Sequence, residues 1–329
     1  MECVDVDRFY ADHGSDANPT YGYMGLDDAE KATYADRDLF KYMVHHQAEV
    51  HTVDRNHAVL DVDGFTLVHA PTAILQTELT NEGTKERYLN ECATHVRAAT
   101  GACLVLPFDY VLRTGVAWGA EEFTSRGTYC CNRPHNDHTF ASARDRIHDL
   151  LPSPYDADFG RSRYAIVNAW RRWDGGNKWP LACATYDSVD YENDLVECDL
   201  IYKHRTGHSF NISNKSTIQY NFFRDMSKDE LLIFKIADTE GAKCCIHTGV
   251  ENKDAPDTDP ARISVEARFI VLWDEEIAAA LESSGAEVPV AHNIVSTGFA
   301  AYGPSAKDES KRELDGEKNK TARKHACAN

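Results

Sequence analysis

The second half of the chain is a succession of short segments rich in Val, Ile, Tyr, Phe and Trp, separated by turn residues. These residue types favour extended backbone, and many short strands spaced in this way are typical of a sandwich or barrel of antiparallel strands. The segments are "RYAIVNAWRRW", "PLACATYDSV", "DLVECDLIYK", "ELLIFKIADT" and "ARISVEARFIVLW". We therefore predict a mainly β fold with flanking helices, arranged as a jelly-roll barrel, the double-stranded β-helix of cupin-like proteins.

The first half supplies the flanking elements. The segment "HAVLDVDGFTLVHAP" predicts a strand, a turn at Asp63 and Gly64, and a second strand. A helix is predicted over about residues 72–100, because Gly101 follows it. The segment "CLVLPFDYVLR" predicts another strand, and "ASARDRIHDLL" predicts a shorter helix that ends before Pro152.

Composition divides the chain into three parts. Residues 1–45 are polar without a clear period, which predicts an irregular N-terminal arm. Residues 46–302 hold the predicted strands and helices and form the barrel domain. Residues 303–329 are charged and poor in large apolar side chains, which predicts a disordered tail.

Charge and hydropathy exclude several classes of partner. The formal net charge of −18 argues against binding nucleic acid or an anionic membrane, which would need clustered Lys and Arg. No run reaches the ~18 apolar residues of a membrane span, and the first residues do not resemble a signal peptide, so we predict a cytoplasmic protein. No sequence feature specifies a monomer or a homodimer.

The ten cysteines are scattered and lack a CxxC pair, so we expect free thiols. The adjacent pairs Cys130/Cys131 and Cys244/Cys245 lie near the two histidine-bearing segments described next. Because a free cysteine behaves as a small hydrophobe, burial in the core is a better interpretation of these pairs than metal binding.

The stretch "RPHNDHTF" places His135, Asp137 and His138 within four positions. On an extended backbone His135 and Asp137 share one face, whereas His138 points to the other. A second histidine, His247, follows a predicted strand 110 residues after Asp137. Two histidines and one carboxylate form the facial triad of non-haem Fe(II) oxygenases, which leaves three adjacent metal positions open.

Two polar residues lie on the last predicted strand, fifteen and seventeen positions after His247. Arg262 and Ser264 share a strand face, and an arginine fork beside a hydroxyl suits a carboxylate such as that of 2-oxoglutarate. Glu266 and Arg268 lie on the same face, so strand parity does not choose between Arg262 and Arg268 as the anchor. A strand whose polar face is exposed to solvent would show the same alternation of polar and apolar residues.

Several of these motifs together resemble a known family. "HNDHT", "AIVNAWRRW", "PLACATYDSV", "MSKDELLIFKIADTEGAKCCIHTG" and "ARISVEAR" are similar to the fungal iron- and 2-oxoglutarate-dependent hydroxylase/desaturase family. That family includes aspergillic-acid hydroxylase, gibberellin desaturase and cephamycin-methoxylation-like proteins, and a meroterpenoid endoperoxygenase. The resemblance covers roughly residues 45–275.

The resemblance implies a 2-oxoglutarate-dependent dioxygenase with Fe(II) as cofactor and 2-oxoglutarate and O2 as co-substrates. By this resemblance the iron ligands are His135, Asp137 and His247, and Arg262 and Ser264 anchor 2-oxoglutarate. Asn168, Trp170 and Arg171 match the family's Asn-x-Trp-Arg motif and are expected to line the pocket, although packing in the core explains Trp170 equally well. The expected reaction is C–H oxidation of a small secondary metabolite, by hydroxylation, desaturation or a related rearrangement.

Two other functions compete with this interpretation. A metal-dependent hydrolase with a His-x-Asp-His motif would need His138 on the metal together with further bridging carboxylates. A barrel without catalytic activity would bind only a small molecule or a partner. Metal stoichiometry separates the hydrolase from the oxygenase, and release of succinate separates the oxygenase from both rivals.

Overall fold

The computed structural model describes residues 2–9, 20–24, 33, 43–114, 131, 133–151, 162–174, 176–177, 179–202, 205–213, 217–241, 243–256, 258–259 and 262–285. The strands are β1 (Glu2–Phe9), β2 (Thr20–Met24), β3 (Met43–Thr52), β4 (Phe65–His69), β5 (Leu104–Thr114), β6 (His135–Asn136), β7 (Tyr164–Asp174), β8 (Leu181–Ala184), β9 (Leu195–Tyr202), β10 (Thr206–Ile212), β11 (Tyr220–Phe222), β12 (Glu230–Asp238), β13 (His247–Gly249) and β14 (Ile263–Leu272). The helices are α1 (Leu60–Asp63), α2 (Glu82–Thr100), α3 (Phe140–Leu150) and α4 (Glu275–Ser284), with 3-10 turns at Gln76–Thr80 and Tyr186–Ser188.

The strands form two sheets. The nine-stranded sheet has the order β1-β3-β11-β8-β13-β6-β10-β9-β2, and the five-stranded sheet has the order β4-β12-β7-β14-β5. One buried cluster joins the facing sides of the sheets, with Trp170 and Phe234 from the smaller sheet and Cys183 from the larger one. The predicted mainly β architecture with flanking helices is therefore present.

Strand alternation directs the side chains of β7 to both faces of the small sheet. Ala165, Val167 and Ala169 belong to the cluster under helix α2, whereas Ile166 and Trp170 belong to the cluster between the sheets. Each central strand of the small sheet is thus covered on both faces, which explains the nearly continuous apolar sequence of β7, β12 and β14.

Helix α2 begins later than the sequence analysis predicted. Asn81 caps its N-terminus, because the Asn81 side chain accepts a hydrogen bond from the Thr84 backbone at 3.2 Å. The preceding residues form a 3-10 turn, so the apolar pattern that began near residue 72 belongs to two elements. The predicted C-terminus is confirmed, since Gly101 follows with φ of 66° in the left-handed region.

The first predicted hairpin is also wrong in its first arm. Residues before Gly64 form the single helical turn α1, in which the Asp63 carboxylate accepts a hydrogen bond from the Val59 backbone at 2.7 Å. Gly64 has φ of 90°, and a Cβ there would lie 2.5 Å from Cε1 of Tyr186. The turn therefore requires glycine for its backbone and for its close approach to an aromatic ring.

Part of the predicted irregular arm is extended. Strand β1 pairs antiparallel with β3, from Glu2 opposite Val50 to Phe9 opposite Met43, and β2 lies at the edge beside β9. The prediction of an irregular arm is wrong for these strands. Pro152 and residues 303–329 lie outside the described residues, and the three-part division of the chain remains a prediction. No helix in the described ranges is long and apolar enough to cross a membrane.

Candidate metal centre

Two strands of the large sheet bring the predicted metal ligands together. His135 begins β6, and its direct register partner on the neighbouring strand β13 is His247. The two imidazole rings lie 4.5 Å apart between centroids, and Asp137 follows β6 immediately. One nitrogen of each histidine and one carboxylate oxygen of Asp137 all lie within 4.8 Å of one another.

Hydrogen bonds orient both imidazoles toward this point. Nδ1 of His135 lies 2.7 Å from the carbonyl oxygen of Arg133, and Nδ1 of His247 lies 3.2 Å from that of Cys245. A carbonyl oxygen only accepts, so each Nδ1 carries the hydrogen and each neutral ring keeps its lone pair on Nε2. This is the arrangement of metal-binding histidines, in which a backbone carbonyl fixes the tautomer and the ring orientation.

Asp137 has one of its two carboxylate oxygens available for a metal ion. Its Oδ2 accepts hydrogen bonds from Nδ2 of Asn168 at 2.8 Å and from Nε of Arg268 at 3.1 Å. Its Oδ1 faces His135, 3.5 Å from Nε2 of that ring. The carboxylate is thus held from behind and presents a single oxygen beside the two imidazoles.

The pKa values of the three candidate ligands are consistent with the binding of a metal cation. Burial would raise the pKa of the Asp137 carboxyl, but Arg268 and the two histidines hold it well below its ordinary value. Burial opposes a charge on His135, yet the Cys131 sulfur and Asp137 outweigh burial and raise the pKa of His135 to about 9. Burial, with the neighbouring His135, lowers the pKa of His247 to about 3. A divalent ion would replace the proton on His135, so this donor set fits Fe(II).

Arg268 lies behind the ligands among three carboxylates. Its guanidinium donates to Asp137, to Oδ2 of Asp109 at 2.7 Å and to Oε1 of Glu266 at 2.8 Å. Burial raises the pKa values of Asp109 and Glu266, and Arg268 opposes that rise. Since all three donor nitrogens of Arg268 already bind carboxylates, Arg268 is better suited to positioning Asp137 than to anchoring a co-substrate.

Arg262 directly precedes β14, and Ser264 lies on the strand itself. The Arg262 guanidinium is buried, lies 5.1 Å from the centroid of the Trp170 ring and donates to the carbonyl oxygen of Trp179. Ser264 is fully buried, and its hydroxyl has no hydrogen-bond partner among the residues that the structure describes. A guanidinium beside an unpaired hydroxyl fits one end of a dicarboxylate such as 2-oxoglutarate.

The motif "NAWR" is divided between the two faces of β7. Asn168 donates to Asp137, and Trp170 packs in the cluster between the sheets, where the Arg262 guanidinium lies over its ring. Arg171 is on the opposite face, where it donates to the Tyr88 hydroxyl at 3.2 Å and to the Ala70 carbonyl at 2.7 Å. The prediction that Arg171 lines the pocket is therefore wrong, because consecutive strand residues point to opposite faces.

His138 is not part of the ligand group. Its Nδ1 lies 3.4 Å from the Ser142 hydroxyl on helix α3, and His138 is not among the three residues whose donor atoms lie together.

Among the cysteines, Cys244 and Cys245 are fully buried and have apolar surroundings, as predicted. Cys131 is also buried, but its sulfur lies 3.8 Å from Nδ1 of His135. Free thiols are found at Cys92, Cys103, Cys131, Cys183, Cys198, Cys244 and Cys245.

Asp109 is a site residue that the sequence analysis missed. It meets Arg268 because strands β5 and β14 pair with these residues in register. The segment "PFDYVLR" contains no motif, and only the pairing of two distant strands reveals the contact.

A jelly-roll fold with an open site of two histidines and one aspartate defines the class of non-haem iron oxygenases. The family model described as "Oxidoreductase/YMDC permease-like domain" matches residues 8–272, and the chain belongs to that family.

Named relatives and a solved structure agree with this class. The hydroxylase/desaturase efuI of Hormonema carpetanum is 26% identical over 240 residues, which cover 66% of this chain and 79% of efuI. The alpha-ketoglutarate-dependent dioxygenase phiK of a fungal species is 26% identical over 231 residues, 65% of this chain and 79% of phiK. A variant of the iron and alpha-ketoglutarate-dependent endoperoxidase NvfI aligns with a TM-score of 0.71 at 20% identity, over 82% of this chain and 96% of that one. The predicted double-stranded β-helix fold and the predicted resemblance are confirmed.

Proposed function

We propose that the chain binds one Fe(II) through Nε2 of His135, Oδ1 of Asp137 and Nε2 of His247, and oxidises a C–H bond of a small secondary metabolite. The predicted enzyme class, a 2-oxoglutarate-dependent dioxygenase, and its cofactors are confirmed by the relatives named above. One observation supports this ligand assignment best. Nδ1 of His135, Nδ1 of His247 and Oδ2 of Asp137 each form a hydrogen bond, which leaves Nε2 of each histidine and Oδ1 of Asp137 for the metal.

Each group of the chain has a separate task. The triad holds the metal, Arg268 and Asn168 hold Asp137, and Arg262 with Ser264 binds the distal carboxylate of 2-oxoglutarate. The bound iron, with 2-oxoglutarate and O2, supplies the oxidant for the C–H bond. Apolar side chains between the sheets, such as Trp170 and Phe234, exclude water from this chemistry.

The rival functions receive less support. A dinuclear hydrolase needs His138 on the metal, and His138 instead faces Ser142. A barrel without catalysis would not need the tautomers of both histidines to be fixed. The choice between hydroxylation, desaturation and related rearrangements depends on the pose of the substrate. The cytoplasmic location and the absence of a nucleic-acid partner remain predictions.

We expect 2-oxoglutarate to bind the Fe(II) protein and to be consumed by it. Anaerobic addition of both should give a weak visible charge-transfer band, and O2 should then convert 2-oxoglutarate to succinate. Arg262→Gln should raise the KM for 2-oxoglutarate at least about tenfold, because a charge-assisted hydrogen bond contributes roughly 1.5–3 kcal/mol.

The matched control is Arg144→Gln, whose arginine is exposed and, among the residues that the structure describes, forms an ion pair only with its neighbour Asp145. This variant should keep the wild-type KM. Absence of the band in the wild-type protein would contradict the proposed iron site. An unchanged KM for 2-oxoglutarate in Arg262→Gln would contradict the assignment of Arg262 as the co-substrate anchor.

A further inference from the structure

A polar side chain lies next to His135 on the face of the sheet that carries the iron ligands. Asn211 on β10 is the register partner of His135 on β6, and His135 is in turn the partner of His247 on β13. Directly opposed residues of antiparallel strands project to the same side of the sheet. Asn211, His135 and His247 therefore form one row, with His135 in the middle.

Asn211 has unused hydrogen-bonding capacity. It is 0% exposed, and neither its amide nitrogen nor its amide oxygen has a hydrogen-bond partner within the described ranges. Ser209, two residues earlier on the same face, is 2% exposed, and its hydroxyl also has no partner there. The intervening Phe210 and the following Ile212 pack in the cluster on the other face. Native proteins pair nearly all buried polar groups, so two adjacent exceptions beside a metal centre indicate a ligand.

The Asn211–Ser209 pair and the co-substrate anchor lie on opposite sides of the two histidines. Arg262 donates to the carbonyl of Trp179, which shortly precedes β8. The order across the large sheet is β8, β13, β6 and then β10. The histidine strands β13 and β6 thus lie between β8, which is next to the anchor, and β10, which carries Asn211 and Ser209.

We propose that Asn211, with Ser209, binds a neutral polar group of the substrate that contains both a donor and an acceptor, such as an amide or a hydroxyl. This inference rests on the proposed function. A carboxylate would satisfy only the amide nitrogen of Asn211 and would leave its oxygen unpaired, whereas an amide satisfies both atoms. A site built for such a group rejects an analogue that lacks the donor. Asn211 is therefore a specificity-determining residue.

Two small probes test this assignment. The anaerobic Fe(II) and 2-oxoglutarate complex is titrated with δ-valerolactam and then with N-methyl-δ-valerolactam, which lacks the N–H donor, while the charge-transfer band is followed. The wild-type protein should bind the lactam at least about tenfold more tightly than the methylated probe. Asn211→Leu should reduce this ratio to about one and leave the band of the complex unchanged.

The control Asn90→Leu changes an exposed asparagine on helix α2 and should keep the tenfold ratio. Asn211→Ala provides a second, smaller variant with the same expected loss. The urea midpoint of Asn211→Leu should not fall, because leucine removes an unpaired buried amide. Equal binding of the two probes by the wild-type protein, or an unchanged ratio in both Asn211 variants, overturns the inference. If no band forms before a probe is added, the proposed function fails, and the inference fails with it.

Discussion

Asp137→Asn is expected to reduce turnover at least about 100-fold, since loss of even a partner of a metal ligand costs 10- to 100-fold. The donors from Asn168 and Arg268 fix the orientation of residue 137, because both point at its Oδ2. An asparagine would have to place its single carbonyl oxygen toward these donors. Its NH2 group, which has no lone pair for a metal, would then replace Oδ1 at the ligand position.

Succinate release under saturating Fe(II) and 2-oxoglutarate measures this loss. His138→Gln is the matched control in the same segment, and we expect it to keep turnover within about threefold, because His138 contacts Ser142 rather than the ligand group. A folded Asp137→Asn protein with wild-type turnover would show that Asp137 is not a ligand.

Arg268→Gln is expected to lower the free energy of unfolding by about 3 kcal/mol, since removal of one partner from a buried ion pair costs roughly 3–5 kcal/mol. Asp137, Asp109 and Glu266 all bind this guanidinium, and each of the three is mostly buried. Without Arg268 these carboxylates would lie close together with no cation. Urea unfolding of the metal-free protein measures the change, and the exposed Arg144→Gln should not shift the midpoint.

The deficit of Arg268→Gln should depend on pH in a defined direction. In the wild-type protein the pKa of Asp137 is held well below its ordinary value, so its stabilising effect is present above that ordinary value and is lost as pH falls through the folded pKa. In the variant the carboxylates without Arg268 should have higher pKa values than in the wild-type protein, so their folded forms should gain protons sooner as the pH falls. The difference between variant and wild type should therefore be smaller at pH 5 than at pH 8. A deficit that stays constant or grows at pH 5 would contradict the proposed cluster.

The long, strongly apolar strands could be predicted from the sequence, since β7, β12 and β14 are buried on both faces and read as nearly continuous apolar runs. The ends of helices and turns that depend on local hydrogen bonds could not be predicted from the sequence. The cap at Asn81 divides one apolar pattern into two elements, and contact with Tyr186 rather than a hairpin fixes the turn at Gly64. Strand β1 has as many charged as apolar residues, and its pairing with β3 could not be predicted from this segment alone.

The candidate site could likewise be predicted only in part from the sequence. His135 and Asp137 are close in the chain, so their spacing could predict a shared ligand point, and His247 could be added from the known facial triad. The parity of β14 placed Arg262 and Arg268 on one face but could not assign their roles. These roles depend on Asp109 and Trp170, which reach β14 through strand pairing. Asn211 next to His135 is likewise a consequence of register between strands that are distant in sequence.

Metal stoichiometry tests the three-ligand site most directly. Equilibrium dialysis against Fe(II) under anaerobic conditions, with Co(II) as a spectroscopic substitute, should show one ion per chain in the wild-type protein. His138→Gln should also bind one ion, whereas His247→Ala should bind none at the same free metal concentration. Two ions per chain, or loss of the single ion in His138→Gln and its retention in His247→Ala, would contradict a mononuclear site formed by His135, Asp137 and His247.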